Sequence, residues 1–319
     1  MPDKPIVLLT NAMHPDGEAI LAPHVRLIVP PDARPETLRE WARDADGIIV
    51  RAKLPDDIVD HAPRLKGIVR HGVGLDFIPV AAATARGIAV ANLPGSNTSA
   101  VAEYVMSALM HLRRPLQRVD GRLRSEGWAA SRATADGLTE LSGSVLGIVG
   151  VGTIGRRIAN IARDGFGITV LGTSRKRSLP AGIEEVSLQD LFARSDAIAV
   201  CCALTDETRG LVSRELIARM RPSAVLVNVS RGAVIETPAL IDALQSQKIG
   251  GAALDVFDVQ PLPSNDALFD CPNLLLTPHT AGITATSGRA MAVGSAEEML
   301  RILRGEQLLN LVNPAYRAA

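Results

Sequence analysis

Val145-Leu146-Gly147-Ile148-Val149-Gly150-Val151-Gly152-Thr153-Ile154-Gly155 decides the fold: an apolar run passes directly into G-x-G-x-x-G, and the amphipathic segment Arg156-Arg157-Ile158 to Ile161-Ala162 follows. Alone, three spaced glycines are weak evidence. Between a strand and a helix they have a mechanism. Gly150 makes the tight turn, Gly152 lets backbone approach a pyrophosphate, and Gly155 lets helix and strand pack. Amides at the helix start, around Thr153 and Ile154, then meet the phosphates at the positive end of the helix dipole. The bland alternative is a glycine-rich turn that binds nothing.

Outward from that loop, short apolar runs alternate with helical patterns. Before it lie Ile6–Leu9, Leu27–Val29, Ile48–Val50, Gly67–Val69 and Ile88–Ala91. After it come Ile168–Leu171, Ala197–Cys202, Ala224–Val229, Gly251–Leu254 and Leu274–Leu276. Continuous runs of this length suit strands buried on both faces of a parallel sheet. Pro35–Arg43 and Pro55–His61 open on proline and acids, as helices often do. A long helix is expected from Ser99 to Arg124, interrupted by Pro115, and a last one over Ser287–Gly305. The pattern is α/β: two doubly wound parallel-sheet units in succession, with the boundary near Gly95–Ala100.

The end of the strand after the glycine loop reports on the dinucleotide. NAD-selective sites place an acid there, about 20 residues on, to hold the ribose 2′-hydroxyl. Here Ser174 stands 19 residues past Gly155, followed by Arg175, Lys176 and Arg177. No carboxylate repels a 2′-phosphate. Arg175 and Arg177 can grip it and Ser174 can hydrogen-bond it, so NADP(H) is expected over NAD(H). A solvated basic turn is the alternative.

Totals exclude other classes. Across 319 residues, 34 Lys+Arg balance 34 Asp+Glu, which asks for neither nucleic acid nor an anionic membrane. Cys201, Cys202 and Cys271 form neither a disulfide framework nor a spaced metal site, so a reducing, cytoplasmic setting is expected. The apolar run near the start is too short for a signal-peptide core, and no stretch is long enough to span a bilayer.

Three further stretches close predicted strands: Val227-Asn228-Val229-Ser230-Arg231-Gly232, Ala253-Leu254-Asp255-Val256-Phe257-Asp258-Val259-Gln260-Pro261-Leu262, and Leu276-Thr277-Pro278-His279-Thr280-Ala281-Gly282. Strand ends are where ligands sit in open α/β sheets. With the glycine loop, Arg70-His71-Gly72-Val73-Gly74-Leu75-Asp76 and Asn97-Thr98-Ser99-Ala100-Val101-Ala102-Glu103, the chain resembles the D-isomer-specific 2-hydroxyacid dehydrogenase family, in particular members that act as NADP-dependent glyoxylate/hydroxypyruvate reductases. The resemblance covers nearly the whole chain. It implies a flavodoxin-like substrate domain, residues 1–98 plus 285–319, with a Rossmann cofactor domain, residues 99–284, inserted. It also implies a homodimer and an active site in the cleft.

By that resemblance Arg231 grips the carboxylate and carbonyl oxygen of a small 2-oxo acid, and His279 is the general acid/base. Val73 and Gly74 offer backbone amides to the substrate carboxylate. Cys202, Thr208, Val229, Asp255, His279 and Gly282 line the cofactor, with Asp255 toward the nicotinamide amide. Thr208 is equally a helix cap. The family usually carries a Glu before the proline, 29 residues after the arginine; this chain has Gln260. An amide orients His279 without charge, which lowers the pH range of keto-acid reduction. Asp258 is a candidate substitute carboxylate. Arg51 and Lys53, and also His71, are candidate substrate contacts or surface charges. Tyr104 and Trp128 are expected to pack or to meet a dimer partner. The competing readings are a dehydrogenase of a bulkier or phosphorylated 2-hydroxy acid, and a dinucleotide-sensing protein with weak catalysis.

Overall fold

The computed structural model describes residues 4–174 and 179–318. Two compact units form: one comprises Met1–Asn97 with Ile283–Ala319, the other Thr98–Gly282.

The first unit holds β1 (Ile6–Leu9), β2 (Arg26–Ile28), β3 (Gly47–Val50), β4 (Gly67–Arg70) and β5 (Ala89–Ala91) in the order β2-β1-β3-β4-β5. Every pairing is parallel. Alternate residues of each strand face different cores, which is why the runs read as unbroken apolar sequence. Leu8, Ile48 and Val50 enter one cluster; Val7, Leu9 and Ile49 enter the other. The C-terminal helix Ala285–Arg304 closes the second cluster with Ala292, Ala296 and Met299. It starts with a capping box between Thr284 and Ser287 and ends on left-handed Gly305. Gly17 lets the helix Pro15–Leu21 pack tightly against it, since a Cβ there would lie 2.7 Å from the carbonyl oxygen of Ala292.

One expected helix is absent. Pro55–His61 forms only a 3₁₀ turn at Ile58–Asp60. Both of its apolar residues, Ile58 and Val59, are buried, and Pro63 follows, so no longer helical stripe exists to propagate.

The second unit adds β6 (Val145–Val149), β7 (Thr169–Thr173), β8 (Glu184–Glu185), β9 (Ala197–Val200), β10 (Val225–Asn228), β11 (Gly251–Leu254) and β12 (Leu274–Leu276). Their order is β12-β11-β10-β9-β6-β7-β8, again all parallel. The order reverses between β6 and β9, the switch point at which such sheets take ligands. The helix Thr98–Arg113 covers one face, burying Val101, Ala102, Val105, Met106, Ala108 and Leu109. The expected interruption at Pro115 separates it from the helix Leu116–Glu126.

In the first unit one buried amide joins the segment after the last long helix to the β5 region, beside the bond from Val312 N to the carbonyl oxygen of Val90 at 2.8 Å. Buried Asn313 accepts from Val90 N at 2.7 Å and donates to the carbonyl oxygen of Ile88 and to Thr84 Oγ1, both at 2.9 Å. Asn313→Ala leaves two buried backbone groups of the β5 region unpaired and should cost about 1–3 kcal/mol, read as a lowered urea midpoint.

Candidate active site

In the second unit, the residues singled out above follow the C-terminal ends of successive parallel strands. The glycine loop follows β6, Ser174 follows β7, Cys202 follows β9, Val229 to Arg231 follow β10, Asp255 follows β11, and Thr277 to Gly282 follow β12. Arg175, Lys176 and Arg177 lie outside the described residues.

The three glycines are held by different constraints. Gly150 has φ +96°, and a Cβ on it would lie 2.6 Å from Cys202 Cα. Gly155 would place a Cβ 2.5 Å from the carbonyl oxygen of Gly150. Protein packing thus explains both. Gly152 is different: it caps the helix Thr153–Phe166 at φ −87°, and a Cβ there meets nothing within 4 Å. Among the described residues no group excludes a side chain at Gly152, which leaves open space over the first turn for a closely approaching ligand. That first turn carries no acid. These features fit a dinucleotide pyrophosphate.

Beyond β10, Ser230 N donates to Asn228 Oδ1 at 3.0 Å, and Asn228 Nδ2 donates to the carbonyl oxygen of Arg231 at 3.0 Å. Asn228 thereby folds the turn that presents Arg231, whose Nη1 donates to the carbonyl oxygen of Ser230 at 2.8 Å. The Ser230 hydroxyl donates to the carbonyl of Cys202, joining this turn to the end of β9. Gly232 lets the turn press on the next loop: a Cβ would lie 2.1 Å from the carbonyl carbon of Phe257. Arg231 and the segment leading to Gln260 are therefore packed together.

Asp255 governs the loop after β12. It is buried, and its carboxylate accepts from Thr280 N (2.7 Å), Thr277 Oγ1 (2.7 Å) and Ala281 N (2.9 Å). Its carbonyl oxygen accepts from His279 N at 2.9 Å. These bonds hold His279 at φ +57°, a left-handed conformation costly for most residues. The His279 Nδ1 lies 3.0 Å from Gln260 Oε1, and Gln260 Nε2 donates to the carbonyl oxygen of Phe257 at 3.3 Å. The Phe257 carbonyl only accepts, so it fixes which way the amide faces. Gln260 then offers its oxygen to the ring, and Nδ1 must carry the hydrogen. This leaves Nε2 as the ring atom for proton exchange.

Asp258 does not stand in for the missing Glu. Its Oδ2 accepts from Thr237 Oγ1 at 3.0 Å, at the start of the helix Thr237–Gln245. Thr208 is spent within its own loop, donating to the carbonyl oxygen of Ala203 and accepting from Thr205 N, both at 2.7 Å. Val229 donates its backbone N–H to Val200 at 3.2 Å. Two residues of this network were not legible as site residues. Thr277 bonds Asp255, and Tyr104, expected only to pack or meet a partner, places its hydroxyl 2.6 Å from Thr277 Oγ1. The threonine beside the histidine was a local signal; nothing local links Tyr104 to it across the chain.

In the first unit, Arg70 shapes the loop after β4. Its guanidinium donates to the carbonyl oxygens of Val50 (2.6 Å) and Gly74 (3.1 Å) and lies over the Phe77 ring. The carbonyl of Val73 accepts from Asn92 Nδ2 at 2.8 Å, and the amides of Val73 and Gly74 donate to no other group among the described residues. Arg51 bonds the carbonyl of Ala12, and its backbone N–H donates to Thr10 Oγ1 at 2.8 Å. Lys53 is exposed. His71 is buried, and its Nε2 has no hydrogen-bond partner. Burial, then the nearby Arg51 charge, hold its pKa down at about 4.

Fold and site together define an α/β oxidoreductase of the dinucleotide-binding class. The sequence model described as "D-isomer specific 2-hydroxyacid dehydrogenase, NAD binding domain" matches residues 106–281. A glyoxylate reductase of Aeropyrum pernix is 35% identical over 323 residues, covering 97% of this chain and 96% of that one. A D-3-phosphoglycerate dehydrogenase of Methanocaldococcus jannaschii is 35% identical over 314 residues, covering 96% of this chain but only 59% of its own. Among solved structures, the NADPH-dependent glyoxylate/hydroxypyruvate reductase of Sinorhizobium meliloti, in complex with NADP and malonate, superposes with a TM-score of 0.86 at 28% identity, over 99% of this chain and 98% of that one. The chain belongs to the D-isomer-specific 2-hydroxyacid dehydrogenase family.

His71 gives a pH signature independent of turnover. With its folded pKa held below the ordinary imidazole value, the unfolded state binds the extra proton first as pH falls. Wild-type stability should therefore drop between pH ~7 and pH ~4, with about 3 kcal/mol of the drop due to this residue. Urea unfolding of His71→Asn should show a correspondingly flatter profile.

Proposed function

We propose that the protein reduces a small 2-oxo acid, of the glyoxylate or hydroxypyruvate kind, to the (R)-2-hydroxy acid with NADPH. The observation that carries this reading is the His279–Gln260 contact at 3.0 Å between two neighbouring loops, the one bearing Gln260 packed against the Arg231 turn, at the C-terminal strand ends of the second sheet. Family membership and the glyoxylate reductase relatives support it.

Gly150, Gly152, Thr153, Ile154 and Gly155 would hold a reduced dinucleotide, which when bound would supply the hydride for the substrate carbonyl carbon. Arg231 binds the carboxylate and carbonyl oxygen and draws charge toward that oxygen. His279 delivers a proton from Nε2, while Gln260 holds Nδ1–H and keeps the ring aimed. The Val73 and Gly74 amides are assigned to the substrate carboxylate, and Arg51 and Lys53 to its side chain, on the family resemblance alone. Cys202, Thr208, Val229, Asp255 and Gly282 are assigned to the cofactor region, where Thr208 and Asp255 act by shaping loops.

NADP(H) preference rests on Ser174 in place of an acid and on the cations that follow it in sequence. We expect kcat/KM to favour NADPH over NADH at least tenfold, and Ser174→Asp to reverse the preference. Gly152→Ala should leave the fold intact and weaken dinucleotide binding by about 1–3 kcal/mol, because no group among the described residues meets the new methyl whereas a bound pyrophosphate would.

Homodimerisation is proposed through the helices Leu116–Glu126 and Trp128–Arg132: the first buries no residue, and Leu116 and Trp128 are 65% and 71% exposed. A cytoplasmic setting is proposed because Cys201, Cys202 and Cys271 are not in disulfides, and among the described residues no helix is long and apolar enough to cross a membrane.

The test is NADPH oxidation across a panel of 2-oxo acids at about pH 6 and about pH 7.5. Turnover that is faster at the lower pH, and lost in Arg231→Ala and His279→Asn, supports the reading. Gln260→Glu should extend activity upward in pH, because a carboxylate beside Nδ1–H favours the charged ring. Tight NADPH binding without turnover would instead favour a dinucleotide sensor, the reading that the uncharged Gln260 partly supports.

A further inference from the structure

The His279 loop hangs on Asp255, and the outer end of that hold is a tyrosine with no assigned part in the reaction. We propose that Tyr104 is a positioning residue: its hydroxyl donates to Thr277, committing the Thr277 proton to the Asp255 carboxylate that locks the His279 loop. The inference builds on the assignment of His279 as the proton donor.

The direction of the chain follows from donor capacity. Asp255 Oδ1 accepts the Thr280 amide and the Thr277 hydroxyl, each at 2.7 Å. A threonine hydroxyl has one hydrogen, and here the carboxylate takes it. The Tyr104 oxygen, 2.6 Å from Thr277 Oγ1, can then only be the donor. The reverse order would leave two oxygens 2.7 Å apart with no proton between them. The order runs Tyr104 to Thr277 to Asp255, and the Asp255 carboxylate also takes the Ala281 amide while its carbonyl takes that of His279.

Two further features separate this arrangement from incidental packing. Tyr104 is set by a rigid element: it lies on the helix Thr98–Arg113 between buried Val101, Ala102, Val105 and Met106. Its ring packs on the apolar cluster beneath the sheet, and burial pushes its pKa up; the Thr277 hydrogen bond pulls the other way and the Asp255 charge adds to the rise. The phenol therefore stays protonated and can donate throughout the working pH range. Phenylalanine would fill the same apolar space, so the hydroxyl is there for Thr277. Without it, the Thr277 hydroxyl is free to turn elsewhere, and one of the three bonds on a buried carboxylate weakens. The loop holding left-handed His279 then relaxes toward commoner backbone.

The test compares Tyr104→Phe, Thr277→Val, Thr277→Ser and the Tyr104→Phe/Thr277→Val double variant, using full-length protein with NADPH and glyoxylate. A second readout is the His279 ring resonance in histidine-labelled protein with NADP⁺, assigned by its absence in His279→Asn. We expect Tyr104→Phe to lower kcat about tenfold, the worth of one such hydrogen bond, with KM for glyoxylate within about twofold. Thr277→Ser should stay near wild type, and the double variant should be no slower than Thr277→Val, as members of one chain require. The His279 resonance should move in Tyr104→Phe. Losses that multiply in the double variant, or an unmoved resonance with unchanged kcat, would overturn the proposal. If wild-type protein reduces no 2-oxo acid, the functional reading fails by itself, and the resonance alone decides the role of Tyr104.

Discussion

A single buried carboxylate organises the loop after β12 at the C-terminal strand ends of the second unit. Taking a carboxylate out of water is costly unless donors replace the lost solvent. Asp255 meets that condition with two backbone amides and one hydroxyl, all from the segment Thr277–Ala281. The pairing runs both ways: the charge needs those donors, and the loop takes the one shape that brings them together. His279 sits inside that shape in a left-handed conformation, and its side chain meets Gln260 from the neighbouring loop. Geometry at the imidazole is thus set by a residue whose carboxylate does not touch the imidazole.

The larger constraint is the parallel sheet. Strands buried on both faces leave no room for polar side chains along their length, so polar groups collect where the strands end. In the second unit this puts Gly150, Ser174, Cys202, Arg231, Asp255 and His279 on one edge. In the first unit the same logic places Arg51 after β3 and His71 after β4, beside the Arg70 guanidinium that ties those two strand ends together. Close backbone approaches, allowed only by glycine, draw neighbouring loops together: Gly150 against Cys202, and Gly232 against Phe257.

Legibility in sequence followed the range of the interaction. Doubly buried strands announce themselves as unbroken apolar runs, and their ends fell within one to two residues of expectation, whereas the exposed two-residue β8, Glu184–Glu185, carries no apolar signal and was not expected. Pro55–His61 misled because its opening signals are local, whereas helix length depends on a stripe that the segment lacks. The glycine loop was readable because its spacing lies within six residues directly between a strand and a helix, even though Gly150 also answers to distant Cys202. The orientation of Asp258 toward Thr237 was not, since both Asp258 and Gln260 stood within reach of the histidine in sequence terms alone. Tyr104 was missed for the same reason on a longer scale: its partner lies 173 residues away. The family resemblance supplied Arg231 and His279 as candidates, but the tautomer of the histidine came from the Gln260 amide and the Phe257 carbonyl that fixes it.

The substitution of Gln260 for a carboxylate separates two properties that a charged partner would combine. The amide aims the ring as an acid would, yet adds nothing to its affinity for a second proton. On the proposed function, with His279 as proton donor, reduction therefore favours acid conditions. Isotope transfer tests this most directly: 4-deuterated NADPH is mixed with glyoxylate or hydroxypyruvate near pH ~6, and the product is read by NMR. The account predicts deuterium at C2 of the hydroxy acid, with transfer abolished in His279→Asn although NADPH still binds. Full NADPH occupancy with no deuterium in any hydroxy acid would contradict it.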